Sequence, residues 1–188
     1  MRIDANHRLT EATWRPSPHC DERPSWACPE LLVLHCVSLP EGQYGTGYPQ
    51  ALFTGTLDCS LQPEFADLTD VEVAPHLMID RNGVVEQFVA FDQRAWHAGV
   101  SCWRGRPGCN NYSIGVELEG AVAELYTLAQ YDALADVLVA LFARYPQLSI
   151  DAIVGHNEIA PGRKQDPGAF FDWRGVLMEM QQRTAALG

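Results

Sequence analysis

The sequence predicts an α/β fold: a single domain with a central mixed β-sheet flanked by helices. Three observations carry this prediction. Residues 31–38 form an apolar run between prolines, Asn82-Gly83 separates two β-rich runs, and apolar residues recur at helical spacing after Thr127. The chain has 188 residues, the usual size of one domain. A chain of this length buries about 70% of the surface that its unfolded form exposes, so we expect no disulfide or structural metal to be needed for folding.

The first 29 residues are predicted to form an extended arm that leads into a domain of residues 30–188. Four prolines disfavour regular structure in this arm, at positions 16, 18, 24 and 29. The apolar run 31–38 predicts a buried central strand with His35 near its end. Residues 39–70 are predicted to be mostly loop, and a loop of this length is typical of a wall or rim of a functional site.

Two further strand regions follow. Residues 75–80 and 84–89 are predicted to pair as a hairpin, because an Asn-Gly pair between β-rich runs is a strong turn signal. Residues 113–120 predict another strand. Side chains alternate between the two faces of a strand, so Glu117 and Glu119 are expected on one face, with Val116 and Leu118 on the other.

Two helices complete the predicted fold. Thr127 and Gln130 have the spacing of a capping box, and the helix after them is expected to end before Pro146. A second helix is predicted from near Asp172 toward Thr184. Strands that alternate with helices, together with one hairpin, are typical of a mixed sheet.

Charge and cysteine content limit the possible partners and location. The formal net charge of -11 argues against a nucleic-acid partner, since phosphate binding needs a basic face. No apolar run is long enough for a membrane span, and the opening residues have no apolar leader, so we expect a cytoplasmic protein without a membrane partner. The six cysteines form no Cys-x-x-Cys pair and are expected to be reduced. Local positive charge for an anionic ligand is available at Arg104, Arg106, Arg163 and Lys164.

The segment 155–168 concentrates groups that are typical of an active site. His156, Lys164 and Asp166 follow an apolar strand, and the prolines and glycines at 161, 162, 167 and 168 are predicted to prevent a helix between His156 and Asp166. The loop could then fold back and bring the two side chains together. The alternative is that His156 bonds a carbonyl and Asp166 caps the next helix. Spacing alone leaves many possible triples of metal ligands, because no His-Glu-x-x-His run is present.

Four stretches of the chain resemble the type 2 N-acetylmuramoyl-L-alanine amidases, which share a fold with peptidoglycan recognition proteins. The matching stretches are His35, residues 95–101 (AWHAGVS), residues 110–120 (NNYSIGVELEG) and residues 156–168 (HNEIAPGRKQDPG). The resemblance runs in order from about Trp14 to Trp173. Within the family it is strongest to the branch that acts on soluble 1,6-anhydro muropeptides in cell-wall recycling.

The resemblance implies a zinc enzyme and assigns its site. The family's zinc ligands fall on His35, His156 and Asp166, and its catalytic acid and lysine fall on Glu117 and Lys164. Three protein ligands leave one position open on the metal for water, which the metal acidifies. Glu117 would take the proton and Lys164 would stabilise the oxyanion. The implied reaction is hydrolysis of the amide between anhydro-N-acetylmuramic acid and L-alanine in an anhydromuramyl-peptide, with a monomer favoured.

Substrate recognition is expected from His97, Ala98, Gly99 and Arg106, although His97 could equally be structural. Cys36 follows His35 directly in the predicted buried strand. Because side chains alternate between the two faces of a strand, Cys36 should face away from His35. The chain departs from the family pattern at three positions where relatives carry Asn or Arg, namely Cys36, Glu72 and Gly108. These departures are expected to affect substrate choice. Two alternatives remain: a non-catalytic muropeptide-binding module, and an amidase that acts on intact peptidoglycan.

Overall fold

A six-stranded mixed β-sheet forms the centre of the protein, in a computed structural model that describes residues 1–186. The strands are β1 (Thr13–Trp14), β2 (Cys20–Glu22), β3 (Leu31–Val37), β4 (Leu77–Ile79), β5 (Val85–Gln87), β6 (Gln93–Ala95), β7 (Cys102–Trp103), β8 (Arg106–Pro107), β9 (Ser113–Glu119) and β10 (Ile153–Gly155). The helices are α1 (Tyr48–Phe53), α2 (Leu128–Arg144), α3 (His156–Ile159) and α4 (Trp173–Ala186). Three short 3₁₀ helices cover Pro63–Leu68, Cys109–Asn111 and Ile150–Ala152.

The order of strands in the sheet is β1-β5-β4-β9-β3-β10. Strand β3 lies parallel between β9 and β10, while β4 and β5 form the antiparallel hairpin predicted around Asn82-Gly83. Two separate ribbons, β2-β6 and β7-β8, lie outside this sheet. The predicted fold class, a mixed sheet flanked by helices, is confirmed.

Alternation along β3 and β9 divides the sheet into two faces. Leu32 and Leu34 of β3 and Val116 of β9 belong to a core that also contains the buried residues of α2 and α4. Leu31 and Val33 belong to a second apolar cluster on the other face. His35 continues this second face, while Cys36 packs partly against the helical core, as alternation predicts. The two helices therefore cover one face and leave the other for polar side chains.

The capping box predicted for α2 is confirmed. The Thr127 hydroxyl accepts a hydrogen bond from the Gln130 backbone N–H at 3.1 Å, and the Gln130 side chain accepts one from the Thr127 N–H at 3.1 Å. Gln130 is fully buried, and its amide also donates to the carbonyls of Ile79 and Glu119. The cap thus ties the start of α2 to β4 and β9.

One prediction of local structure was wrong, and another needs an addition. Residues 39–70 are mostly loop, as predicted, but they also contain α1 and the 3₁₀ helix Pro63–Leu68, whose Phe53 and Phe65 are buried; each of these helices is too short to show a periodic pattern. A helix also forms between His156 and Asp166. Glu158 accepts the Gly155 N–H at 2.8 Å and caps α3, and Pro161 limits this helix to one turn rather than preventing it.

Residues 1–29, predicted as an extended arm, contact the rest of the chain at several points. β1 adds a parallel strand beside β5, and β2 pairs antiparallel with β6. The Arg23 guanidinium is largely buried and donates to the carbonyls of Asn110 and Ser113, at 3.2 and 2.8 Å. Burial lowers the pKa of Arg23 to about 10.

All six cysteines are free, as predicted. Among the described residues, no helix has the length and apolar character that crossing a membrane requires.

We expect Thr127→Ala to lower the free energy of unfolding by about 1 kcal/mol, because it leaves a backbone N–H of the first turn of α2 without its acceptor. Urea denaturation followed by circular dichroism measures this change. Thr69→Ala is the matched control. Its exposed hydroxyl donates only to the Ala66 carbonyl, so the loss there should stay within about 0.5 kcal/mol. Equal losses in the two variants would contradict the assigned role of the cap.

Candidate active site

Three side chains converge at the carboxyl end of the parallel strands β3 and β10. His35 lies near the end of β3, His156 is the first residue after β10, and Asp166 lies at the end of the loop after α3. The His35 Nδ1 and His156 Nδ1 atoms are 2.9 Å apart, and Asp166 Oδ2 is 3.1 and 3.0 Å from them. All three side chains are buried. Their polar atoms therefore form a small triangle inside the protein.

The loop after β10 folds back as predicted. The Asn157 N–H donates to the Asp166 carbonyl at 3.0 Å, and the Lys164 N–H donates to the Ala160 carbonyl at 3.1 Å. These backbone bonds close the loop 156–166 at both its base and its tip. The strand thus fixes His156, and the closed loop fixes Asp166 beside it.

The triangle has the composition and size of a zinc site. Its three ligand atoms lie within 4.8 Å of one another and come from two imidazoles and one carboxylate. Tetrahedral zinc with bonds of 2.0–2.1 Å holds its ligands about 3.3 Å apart, close to the observed separations. Three lone-pair donors facing one point repel each other unless a cation lies between them. The residues present therefore fit a divalent zinc ion with one coordination position left open.

Hydrogen bonds outside the triangle orient the two imidazoles. His156 Nε2 lies 3.1 Å from the Ala98 carbonyl oxygen, which can only accept, so Nε2 carries the proton and Nδ1 is free to bind a metal. His35 Nε2 lies 2.9 Å from His97 Nδ1. Each imidazole therefore turns its Nδ1 toward Asp166 and has its other nitrogen engaged by the protein.

Burial and hydrogen bonding keep His35 and Asp166 in their metal-binding forms. Burial lowers the pKa of His35 to about 4, against the opposing hydrogen bond to Asp166, so this imidazole is neutral at pH 7. Burial alone would raise the pKa of Asp166, but hydrogen bonds to His156 and His35 outweigh it and hold that pKa below its usual range. Neutral imidazoles and an ionised carboxylate are the forms that bind zinc.

The carboxyl group of Glu117 lies beside the triangle. The parallel register of β3 and β9 places Glu117 directly opposite His35. The Glu117 side chain is buried, and its Oε2 atom has no hydrogen-bond partner among the described residues. Burial raises the pKa of Glu117 well above its ordinary value, Asp166 raises it further, and Lys164 lowers it. A buried carboxyl group whose pKa is raised can take up a proton and return it.

Cavities adjoin the triangle on two sides. One, of about 220 Å³, is lined by His156, Lys164, Glu72 and three of the residues predicted to bind substrate, His97, Ala98 and Gly99. Another, of about 260 Å³, has Asp166 and Cys36 in its wall. Lys164 is exposed at the mouth of the first cavity. The triangle thus lies between two clefts that open to solvent.

Arg106 does not line either of these cavities. Its Nη1 atom is 2.7 Å from a carboxylate oxygen of Glu30, and its guanidinium lies 3.8 Å from the ring centroid of Tyr112. The ion pair and the aromatic ring therefore engage this side chain outside the two cavities. The sequence shows that residue 106 is positively charged, but it does not show that Glu30 and Tyr112 contact this side chain.

Two residues shape the cavity in a way that the sequence did not predict. The Asn110 side-chain oxygen accepts hydrogen bonds from the backbone N–H groups of His97 and Ala98, at 3.2 and 2.8 Å. Arg163 donates to the carbonyls of Ala98 and Val100, each at 2.7 Å. Both side chains hold the 97–100 segment against the site. Arg163 was indicated only by its charge, as a contact for an anionic ligand. Asn110 and Arg163 both lie within the stretches that resemble the amidases, a signal that could have indicated this role.

Comparisons with known proteins agree with this geometry. The family model described as N-acetylmuramoyl-L-alanine amidase (Amidase_2) matches residues 25–169. The 1,6-anhydro-N-acetylmuramyl-L-alanine amidase AmpD of Citrobacter freundii is 51% identical over 165 residues, covering 88% of each chain. A crystal structure of a selenomethionine derivative of AmpD superimposes with a TM-score of 0.92 at 48% identity, covering 95% of this chain and 99% of that one.

A structure with bound substrate is also similar. The Escherichia coli amidase AmiD, in complex with anhydro-N-acetylmuramic acid-L-Ala-D-γ-Glu-L-Lys, gives a TM-score of 0.61 at 29% identity. The match covers 84% of this chain and 60% of the AmiD chain. The matched family region contains all three members of the triangle, as well as Glu117 and Lys164. The chain belongs to the N-acetylmuramoyl-L-alanine amidase family.

Proposed function

We propose that this chain is a zinc-dependent amidase that hydrolyses the amide between (1,6-anhydro-)N-acetylmuramic acid and L-alanine in soluble muropeptides during cell-wall recycling. The observation that carries the proposal is the triangle of His35, His156 and Asp166 beside the unpartnered Glu117 carboxyl group. About half of the residues are identical to those of an AmpD amidase over most of both chains. Six free cysteines suit a reducing cytoplasm, where we place the enzyme.

His35, His156 and Asp166 would hold the zinc ion. When bound, zinc lowers the pKa of a coordinated water and polarises the scissile carbonyl group. Glu117 acts as the general base: it removes a proton from the attacking water as the water oxygen bonds to the lactyl carbonyl carbon. When the carbon–nitrogen bond breaks, Glu117 returns that proton to the nitrogen of the departing L-alanine. Its raised pKa suits both steps, because the group must hold the proton between them.

Lys164 supplies positive charge at the same place. Its ammonium group lowers the pKa of Glu117 and of His35, as a nearby positive charge does, and this supports an electrostatic role. A cation at the mouth of the cavity stabilises the negative charge that develops on the carbonyl oxygen during attack. Because Lys164 is exposed, substrate binding would remove water around it and strengthen this interaction.

The two cavities suit a substrate with an arm on each side of the scissile bond. A muropeptide amide joins a sugar to a peptide, and the triangle lies between a cavity that includes His97 and another that includes Cys36. Ala98 and Gly99 line the first cavity, and Asn110 and Arg163 hold this segment in place. Glu72 in this wall adds negative charge that would favour a peptide arm carrying an amine. We assign substrate binding to this segment rather than to the ion-paired Arg106.

The zinc-loaded protein is expected to release peptide from soluble anhydromuramyl-peptide and to leave intact sacculi undigested. Dialysis against a chelator should abolish the release, and added Zn²⁺ should restore it. Zinc at about 1,000 times its dissociation constant should also stabilise the fold by about 4 kcal/mol, measured by calorimetry. Product release is followed by chromatography. Full activity after complete metal removal would contradict a metal-dependent mechanism, and release from sacculi alone would favour the intact-wall alternative.

Glu117→Gln is expected to lower kcat by about 10²- to 10⁴-fold while zinc binding persists, because the amide cannot accept the water proton. The matched control is Glu119→Gln. This neighbour lies on the same strand face but accepts hydrogen bonds from the backbone N–H groups of Gly45 and Arg81, away from the triangle. The activity of the Glu119→Gln variant per folded molecule should stay near that of the unmodified protein. Equal loss in both variants, or full activity of Glu117→Gln, would contradict the assigned general base.

A further inference from the structure

The ring of His97 lies between His35 and the hydroxyl group of Ser113. His97 Nδ1 is 2.9 Å from His35 Nε2, and His97 Nε2 is 3.0 Å from Ser113 Oγ. His35, His97 and Ser113 are 1%, 6% and 0% exposed, so water has little access to this chain of hydrogen bonds. Both nitrogens of the His97 ring are therefore occupied within the protein.

The His97 ring is held firmly in this place. Gly115 of β9 lies beneath it, and a Cβ atom at that position would come within 2.4 Å of His97 Cγ. The ring meets the His35 ring edge-on, at an interplanar angle of 82°. Asn110 fixes the backbone of residue 97 through the bond to its N–H group. Only glycine at position 115 leaves room for the imidazole to reach both His35 and Ser113.

The hydrogen bonds of this chain have two consistent directions. In one, His35 Nε2–H donates to His97 Nδ1, His97 Nε2–H donates to Ser113 Oγ, and His35 Nδ1 is free to bind a metal. In the other, the Ser113 hydroxyl donates to His97 and His97 Nδ1–H donates to His35, which leaves a proton on His35 Nδ1 and excludes a metal there. The choice of direction decides whether His35 can act as a ligand.

We propose that His97 is a positioning residue: its Nδ1 atom accepts a hydrogen bond from His35 Nε2–H, its own Nε2–H donates to Ser113 Oγ, and this arrangement keeps His35 Nδ1 available to the metal. The proposal rests on the proposed role of His35, His156 and Asp166 as zinc ligands. His97 Nδ1 is the hydrogen-bond partner of His35 Nε2 in the described chain. Without it, zinc binding would leave a buried N–H group unpaired.

Adjacent residues then orient both imidazole ligands. His97 Nδ1 accepts the hydrogen bond from His35 Nε2–H, and the carbonyl of Ala98 accepts the one from His156 Nε2–H. Asn110 binds the N–H groups of both residues through one oxygen atom. The 97–98 segment thus acts on the metal ligands from outside the ligand triangle, in addition to lining the cavity.

The test uses the pair His97→Asn and His97→Leu in the full-length protein. The two side chains are similar in size, but only Asn offers an acceptor close to the position of the original Nδ1 atom. Zinc affinity is measured by competition with a chromogenic chelator. His97→Leu should weaken zinc binding by about 10- to 100-fold, while His97→Asn should retain most of the affinity. Equal zinc affinity of both variants and the unmodified protein overturns the proposal.

Two further measurements keep the proposal testable if substitution at 97 disturbs folding. Ser113→Ala removes only a hydroxyl group and should weaken zinc binding, whereas the control Ser17→Ala loses a hydroxyl that serves Phe53 and His19 and should not. Long-range ¹H–¹⁵N spectra of the zinc-loaded protein should show the His97 proton on Nε2. A proton on His97 Nδ1 overturns the proposal. Absence of zinc binding by the unmodified protein overturns the proposed function and this proposal with it.

Discussion

The parallel pairing of β3 with β9 and β10 is the constraint on which the site depends. In this register His35 lies directly opposite Glu117, and Gly155 lies opposite Leu34, so the next residue, His156, emerges beside the end of β3. The parallel strands β3, β9 and β10, which begin at residues 31, 113 and 153, have their carboxyl ends at the same edge of the sheet. A shift of one residue in either pairing would turn His35 or Glu117 toward the helical core.

The same pairing separates the stable part of the protein from its reactive part. Apolar residues of β3 and β9 on one face pack with α2 and α4 in the larger core. The other face carries three candidate ligands, an unpartnered carboxyl group and a histidine whose ring nitrogens are both occupied. Buried polar groups that face each other without a cation are unfavourable, so the packed core must offset their cost. The site is therefore built to gain stability when a cation binds.

The sequence predicts the elements that have long, repeated patterns. The strand at 31–37, the hairpin around Asn82-Gly83 and the capped helix α2 each follow from local signals that tertiary contacts reinforce. The helix α3 was missed because its cap, Glu158, acts over a single turn. Arg106 was predicted as a ligand contact from its charge, but Glu30 and Tyr112 engage it. Partners so distant in sequence leave no local pattern.

The turn-rich loop of the sequence allowed His156 and Asp166, ten residues apart, to meet. That His35 joins them could be predicted only through resemblance, because 121 residues separate it from His156 along the chain. X-ray absorption at the zinc edge of the zinc-loaded protein tests this convergence most directly. We predict a four-coordinate ion with only nitrogen and oxygen neighbours at about 2.0–2.2 Å, two of them imidazoles. A sulfur neighbour at about 2.3 Å, as binding by Cys36 would give, would contradict the account.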